Sequence, residues 1–113
     1  MFEPAEFIPQ IQTYEPEGKL GELGVSFEIQ SLSEAQLLRV TNSQGDLRLQ
    51  RAFEFGVTSI SGVKFKGKDI TKPLVFLAMM ESTNGREAAS LVMEVAARVL
   101  EITIMDEDTA KNS

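Results

Sequence analysis

The chain contains no cysteine and no histidine. The first absence removes disulfides and thiolate ligands and is compatible with a reducing cytoplasm. The second removes the side chain that most often does acid–base work near neutral pH or binds transition metals. Long apolar runs are missing too. The longest, Leu74 to Met80, falls far short of the ~20 residues that a bilayer requires. The opening MFEPAEFIPQ lacks a basic region and a continuous apolar stretch, so it does not read as a secretory signal. Positive charge is scarce as well. The formal net charge is −6, with five acidic and one basic residue in 1–24, nine of each in 25–105, and three acidic and one basic in 106–113. A neutral middle with acidic ends offers no electrostatic footprint for nucleic acid, whose phosphates demand clustered Lys and Arg.

What is present suits one globular domain. The 113 residues are enough for a modest core, and 42% hydrophobic with 25% charged residues is ordinary for a folded chain. Residues 1–24 hold three prolines, three glycines and five glutamates, a composition that resists helix and predicts an extended or flexible N-terminal arm. Phe2, Phe7, Ile8, Ile11 and Tyr14 leave two readings of that arm open: a mobile end, or a segment laid across the body or across a neighbouring subunit. The glycines at 18, 21 and 24 match neither GxGxxG nor a P-loop, because no strand precedes them and no suitable basic residue or hydroxyl follows.

Val25, Phe27 and Ile29 alternate with polar residues, the period of a half-buried strand. Ser33 and Gln36 form a capping box that opens a short helix. Residues 46–56 fit both periods; the tolerance of Arg48, Gln50, Arg51 and Glu54 for helix favours a helix from Asp46 to a stop at Gly56. Val57–Ile60 and Val63–Phe65, parted by Ser61-Gly62, predict a small antiparallel hairpin. Lys64, Lys66, Lys68 and Lys72 form a basic strip, read as a solvated edge guarded against stray pairing. Its competitor is ligand binding.

Catalytic constellations do not assemble. Without His or Cys the available bases are scattered carboxylates, of which Glu28 and Glu54 read as the wet sides of their own elements. Asp106, Glu107 and Asp108 offer a loose divalent site but lack the spacing of a calcium hand. No enzyme, cofactor or metal site is expected.

The surplus of apolar residues lies between Ile70 and Met105. Pro73 suits the first turn of a helix over 74–82, whose apolar side chains point in all directions, the pattern of a helix covered on all sides. Asn84-Gly85 stops it and Asn84 with Glu87 can cap the next, roughly Arg86 to Thr103. That helix has a narrow wet face of Glu87, Ser90, Glu94, Ala97 and Glu101. Its apolar arc of roughly 200° is about double the ~100° that one core requires. Either the excess lies in an all-round core or homodimer, or it forms a groove for an apolar helical partner, to which Met79, Met80, Met93 and Met105 would adapt. Asp106 to Asp108 oppose a helix C-terminal dipole, so residues 106–113 are expected beyond its end as an acidic flexible tail.

The expected fold is therefore α+β and mainly helical: three to four helices, a small antiparallel hairpin or sheet, an arm over 1–24, a single domain over 25–105 and a tail over 106–113. Taken in order, a strand leading into LSEAQ (Leu32 to Gln36), then RAFEFGVTSISGVKFKGKDIT (Arg51 to Thr71), a helical end and an acidic tail, the chain from about Val25 resembles the small tail assembly chaperones of long-tailed bacteriophages and prophages. The segment before Val25 has no match in that pattern. The resemblance implies a non-catalytic protein of the host cytoplasm, absent from the mature virion and forming homo-oligomers. It implies that the protein binds the apolar helical tape measure protein, keeps it soluble and helps recruit tail tube subunits. Neither nucleic acid nor membrane is an implied partner. Carried onto the matching helices, it makes Phe76, Met79, Met80, Leu91, Met93 and Val95 the candidate contacts. A structural head–tail connector or tail completion subunit is the alternative.

Overall fold

The computed structural model describes every residue except Asp46, Gly85 and Ser113, with side chains described through Met105. The described residues form an α+β fold that is mainly helical, with five helices, a three-stranded antiparallel sheet and a two-stranded hairpin. The sheet is built around β2 (Ser26–Gln30), which pairs with β1 (Ile11–Tyr14) on one side and β3 (Val57–Ser61) on the other. Alternation decides its faces. Phe27 lies opposite Ile60 and Ile29 opposite Val57, all four buried, while Ser26, Glu28, Ser59 and Ser61 share the other face. The register slips by one residue between Glu28 and Ile29. Thr58 is the extra residue of that bulge, and its hydroxyl donates to the Glu28 carbonyl at 3.2 Å.

Three phenylalanines tie the layers together. Phe27 of β2 meets Phe53 of α3 (Leu47–Gly56) and Phe76 of α4 (Pro73–Ser82) edge-on at 6.1 Å each, and Phe53 and Phe76 lie 5.5 Å apart. All three are fully buried, and edge-to-face packing adds to the area they hide. Over this cluster runs α5 (Arg86–Asn112), which contributes Val92, Val95, Ala96, Val99 and Ile102. Its closest approach is to α3. A Cβ added at Gly56 would stand 2.3 Å from Val99 Cγ1, so the glycine lets two helices touch.

Several elements follow the sequence. The capping box of α2 (Glu34–Asn42) is made, with the Gln36 N–H donating to Ser33 Oγ and the Ser33 N–H donating to Gln36 Oε1. Residues 47–56 are helix, and Pro73 sits in the first turn of α4. Others differ. Residues 11–14 are not a free arm: β1 is a full partner in the sheet, and the buried Ser31 extends the pairing by accepting the Gln10 N–H at 2.8 Å and donating its own N–H back to Gln10. The folded body therefore starts near Gln10 instead of Val25. A short helix, α1 (Lys19–Glu22), interrupts the region expected to resist helix.

The expected hairpin is displaced by one step. Val57–Ser61 pairs with β2, and the hairpin joins β4 (Lys64–Phe65) to β5 (Lys68–Asp69). Lys66 and Gly67 both take positive φ, 52° and 79°, the two-residue turn whose twist matches antiparallel strands. Ser61-Gly62 instead turns the chain past Gly24, whose carbonyl oxygen would lie 2.3 Å from a Cβ at Gly62. The last helix also outruns its expected end at Thr103 and continues to Asn112. No Gly or Pro stands between Arg86 and Asn112 of the described chain, and intrinsic propensity there outweighs the unfavourable dipole of Asp106 to Asp108.

Candidate partner-docking surface

The six candidate contacts divide by burial. Phe76 is 1% exposed, Val95 0% and Leu91 7%, so these three belong to the core, although Phe76 and Leu91 join Met79 in the lining of an open pocket beside Gly62. Phe76 completes the aromatic cluster, and Val95 and Leu91 point from α5 into the same interior. Met79 and Met80 are half-buried, and Met93 is 57% exposed. Only the methionines remain as surface.

The apolar excess of α5 is real but narrower than the sequence suggests. Leu91, Val92, Val95, Ala96, Val99, Ile102 and Thr103 are buried, an arc of roughly 140° at 3.6 residues per turn. Beside it Ala89, Met93, Ala97, Leu100 and Ile104 follow one another at spacings of three and four, which places them on one line along the helix. All are exposed except half-buried Leu100. This ridge runs for roughly 22 Å at 1.5 Å per residue. At its N-terminal end it opens into a groove of about 170 Å³ between α3, α4 and α5, lined by Leu49, Gln50, Met80, Ala89, Val92 and Met93. Two flexible thioethers, Met80 and Met93, line it together with three aliphatic side chains and one amide. Ala89, Leu49, Leu100 and Ile104 were not among the candidate contacts. For the three on α5 the signal was the line at spacings of three and four from Ala89 to Ile104; Leu49, on α3, lies outside that line.

The helix α4 does not match the expectation of a helix covered on all sides. Phe76 is its one buried residue among those described, whereas Leu74 and Val75 are 60% and 47% exposed. The chain packs α4 by a single side and leaves the opposite side apolar.

Polar groups on the far side of α5 hold the sheet edge. Tyr14 of β1 hydrogen-bonds Glu94, and its hydroxyl is pushed up to about 12 by burial first and then by that carboxylate. Arg98 donates to Gln12 Oε1 at 3.0 Å and pairs with Glu101 at 2.9 Å. Further along, buried Thr103 accepts the Leu32 N–H at 2.9 Å and donates to the Val99 carbonyl at 2.8 Å, which anchors the approach to α2. These groups fix α5 against β1 and the segment that leads into α2, so the ridge stands on a supported helix.

Chemistry beyond docking finds little to work with. Glu28 is exposed and accepts a hydrogen bond from Ser59 at 3.2 Å, and Glu54 pairs with Arg51 at 3.8 Å. Among the described residues no three acidic side chains gather as a metal site. The possible cation site at Asp106 to Asp108 lies outside the described side chains. No helix of the described residues is long and apolar enough to cross a membrane. No family model matches the chain, and neither a curated protein nor a solved structure matches it.

Proposed function

We propose that this chain is a non-catalytic assembly chaperone of a long-tailed phage or prophage. It acts in the host cytoplasm and holds the apolar helical tape measure protein soluble until tail tube subunits replace it. The observation that carries the reading is the ridge from Ala89 to Ile104 with the methionine-flanked groove at its head. An apolar helix laid along such a ridge buries its own stripe at i, i+3 and i+4, and the thioethers adjust to side chains of varied shape. Binding of this kind is weak per contact and reversible, which suits a protein that must later be displaced. The order of elements from Val25 onward supports the same family.

Co-expression with a tape measure protein tests it. The wild-type chain should keep the partner in the soluble fraction and copurify with it. Met93→Glu and Ile104→Glu should abolish capture while the thermal melt stays unchanged, and Glu34→Gln, exposed on α2 away from the ridge, should leave capture intact. Capture that is indifferent to both ridge variants sinks the proposal. Purified particles offer a second arm of the test, because a chaperone is absent from them. The exposed, apolar residues of the N-terminal arm, Phe2, Phe7 and Ile8, favour the alternative of a permanent connector subunit, which would remain in particles at fixed copy number.

A further inference from the structure

We propose that residues 1–8 of one copy dock on the lysine hairpin and outer face of α4 of a second copy. This inference does not rest on the phage reading. It starts from two exposed surfaces that each set apolar side chains beside charge, of opposite sign on the two, with Lys66 also lying 5.4 Å over the Phe65 ring.

The donor is the arm. Phe2, Phe7 and Ile8 are 87%, 42% and 77% exposed, an unusual outlay of apolar surface for a segment that touches little of its own body. Glu3 and Glu6 lie between Phe2 and Phe7, and Pro4 and Pro9 favour an extended course. An extended segment bordered by prolines loses less freedom on docking than a free coil does. Nine residues reach about 30 Å at most.

The acceptor lies where α4 begins. Lys64, Lys66, Lys68 and Lys72 are all exposed, and the adjoining helix offers Leu74, Val75 and Ala78. Against the four lysines this stretch has one acidic residue, Asp69, and Glu81 stands at the far end of α4. Among the described residues the ion pairs are Arg51 with Glu54 and Arg98 with Glu101, so the hairpin's ammonium groups have no such carboxylate partner. An apolar strip beside uncompensated positive charge is the complement of an arm that carries apolar residues beside glutamates.

The α5 ridge is a poorer seat for the same arm. Glu94 and Glu101 flank it three and four residues from Ala97, and the arm's own glutamates would meet like charge there. The two apolar surfaces therefore take different occupants. The arm leaves the body beside Ser31, at the end of β2, whereas Gly62 and the hairpin follow the other end of the sheet, near Ser26. Donor and acceptor lie toward opposite ends of β2, and the arm's exposure shows that it does not fold back onto its own hairpin.

The test is charge exchange in the full-length chain, read as molar mass by light scattering over a dilution series. The wild type should exceed the 12.5 kDa of one chain by at least twofold at high concentration, and added salt should weaken the association. Glu3→Lys with Glu6→Lys should reduce the mass to that of one chain, and so should Lys66→Glu with Lys68→Glu. Mixing the two variants should restore association, because each arm then finds a hairpin of opposite sign. All four positions are exposed, and unchanged melting curves separate loss of docking from loss of fold. A wild type that stays at one chain's mass at every concentration overturns the proposal. So does an oligomer that survives both exchanges, or variants that fail to complement.

Discussion

At the scale of single residues, hidden polar and steric details hold the body together. Thr103 is 1% exposed and its Oγ1 accepts a backbone N–H from a residue far away in sequence. Thr103→Val keeps the shape and leaves the Leu32 N–H without a partner, at a cost of about 1–3 kcal/mol. Urea unfolding should show that loss, and Thr103→Ser should recover most of it. At Gly56, a methyl group would run into Val99, so Gly56→Ala should destabilise by about 1–3 kcal/mol. Adding Val99→Ala should return part of that, the coupling that a double-mutant cycle measures. Tyr14 is the chain's one tyrosine, so phenolate absorbance reports it directly. Its folded value near 12 lies above the ordinary 10.0, so the neutral phenol is the form the fold prefers. The stability from this shift is complete below pH 10 and is lost as pH rises toward 12. An absorbance midpoint at the ordinary value would contradict the contact with Glu94, and Tyr14→Phe should remove this alkaline step from the melting profile.

Neighbouring positions on one helix part company at the scale of elements. Val95 and Met93 are two residues apart on α5, yet one is wholly buried and the other is 57% exposed. Val95→Glu should therefore cost more than about 4 kcal/mol or prevent folding, whereas Met93→Glu should stay within about 0.5 kcal/mol. Circular dichroism melts of the pair check this. Equal losses would mean that the ridge is packed after all. The same contrast shows why candidate contacts carried onto these helices from a resemblance included core residues. An apolar arc tells how much of a helix avoids water, but which part meets the core depends on where α3 and β2 lie. Gly56 and Phe53 bring α3 onto the Val95–Val99 side, and that choice leaves Ala89, Met93 and Ile104 outside.

Over the whole molecule, the arm and the body have separate energetics. Removing residues 1–9 takes away exposed and half-buried side chains, so stability should change by no more than about 0.5 kcal/mol. Removing residues 1–14 also deletes β1, which opens the edge of β2 and strips Glu94 and Arg98 of Tyr14 and Gln12. Uncovering even one of Phe27 or Ile29 costs about 1.5–3 kcal/mol, and the longer truncation should melt well below the shorter. Matching melts would show that β1 adds nothing to the fold.

Local chemistry determined much of the chain without help. The Ser33–Gln36 capping box, the strand through Phe27 and Ile29, the Pro73 helix start and the α+β, mainly helical class all follow from contacts within a few residues or from simple alternation. Partner choice between distant segments was left to the tertiary structure. Whether Val57–Ser61 pairs with the next strand or with β2, and whether Ile11–Tyr14 hangs free or joins the sheet, depends on register and burial across many residues, which no window of sequence contains. Burial of Phe76, Leu91 and Val95 and exposure of Leu74, Met93 and Ile104 were decided in the same way. An apolar side chain records a preference for leaving water, and only the packed fold decides whether its own chain or another molecule provides the cover.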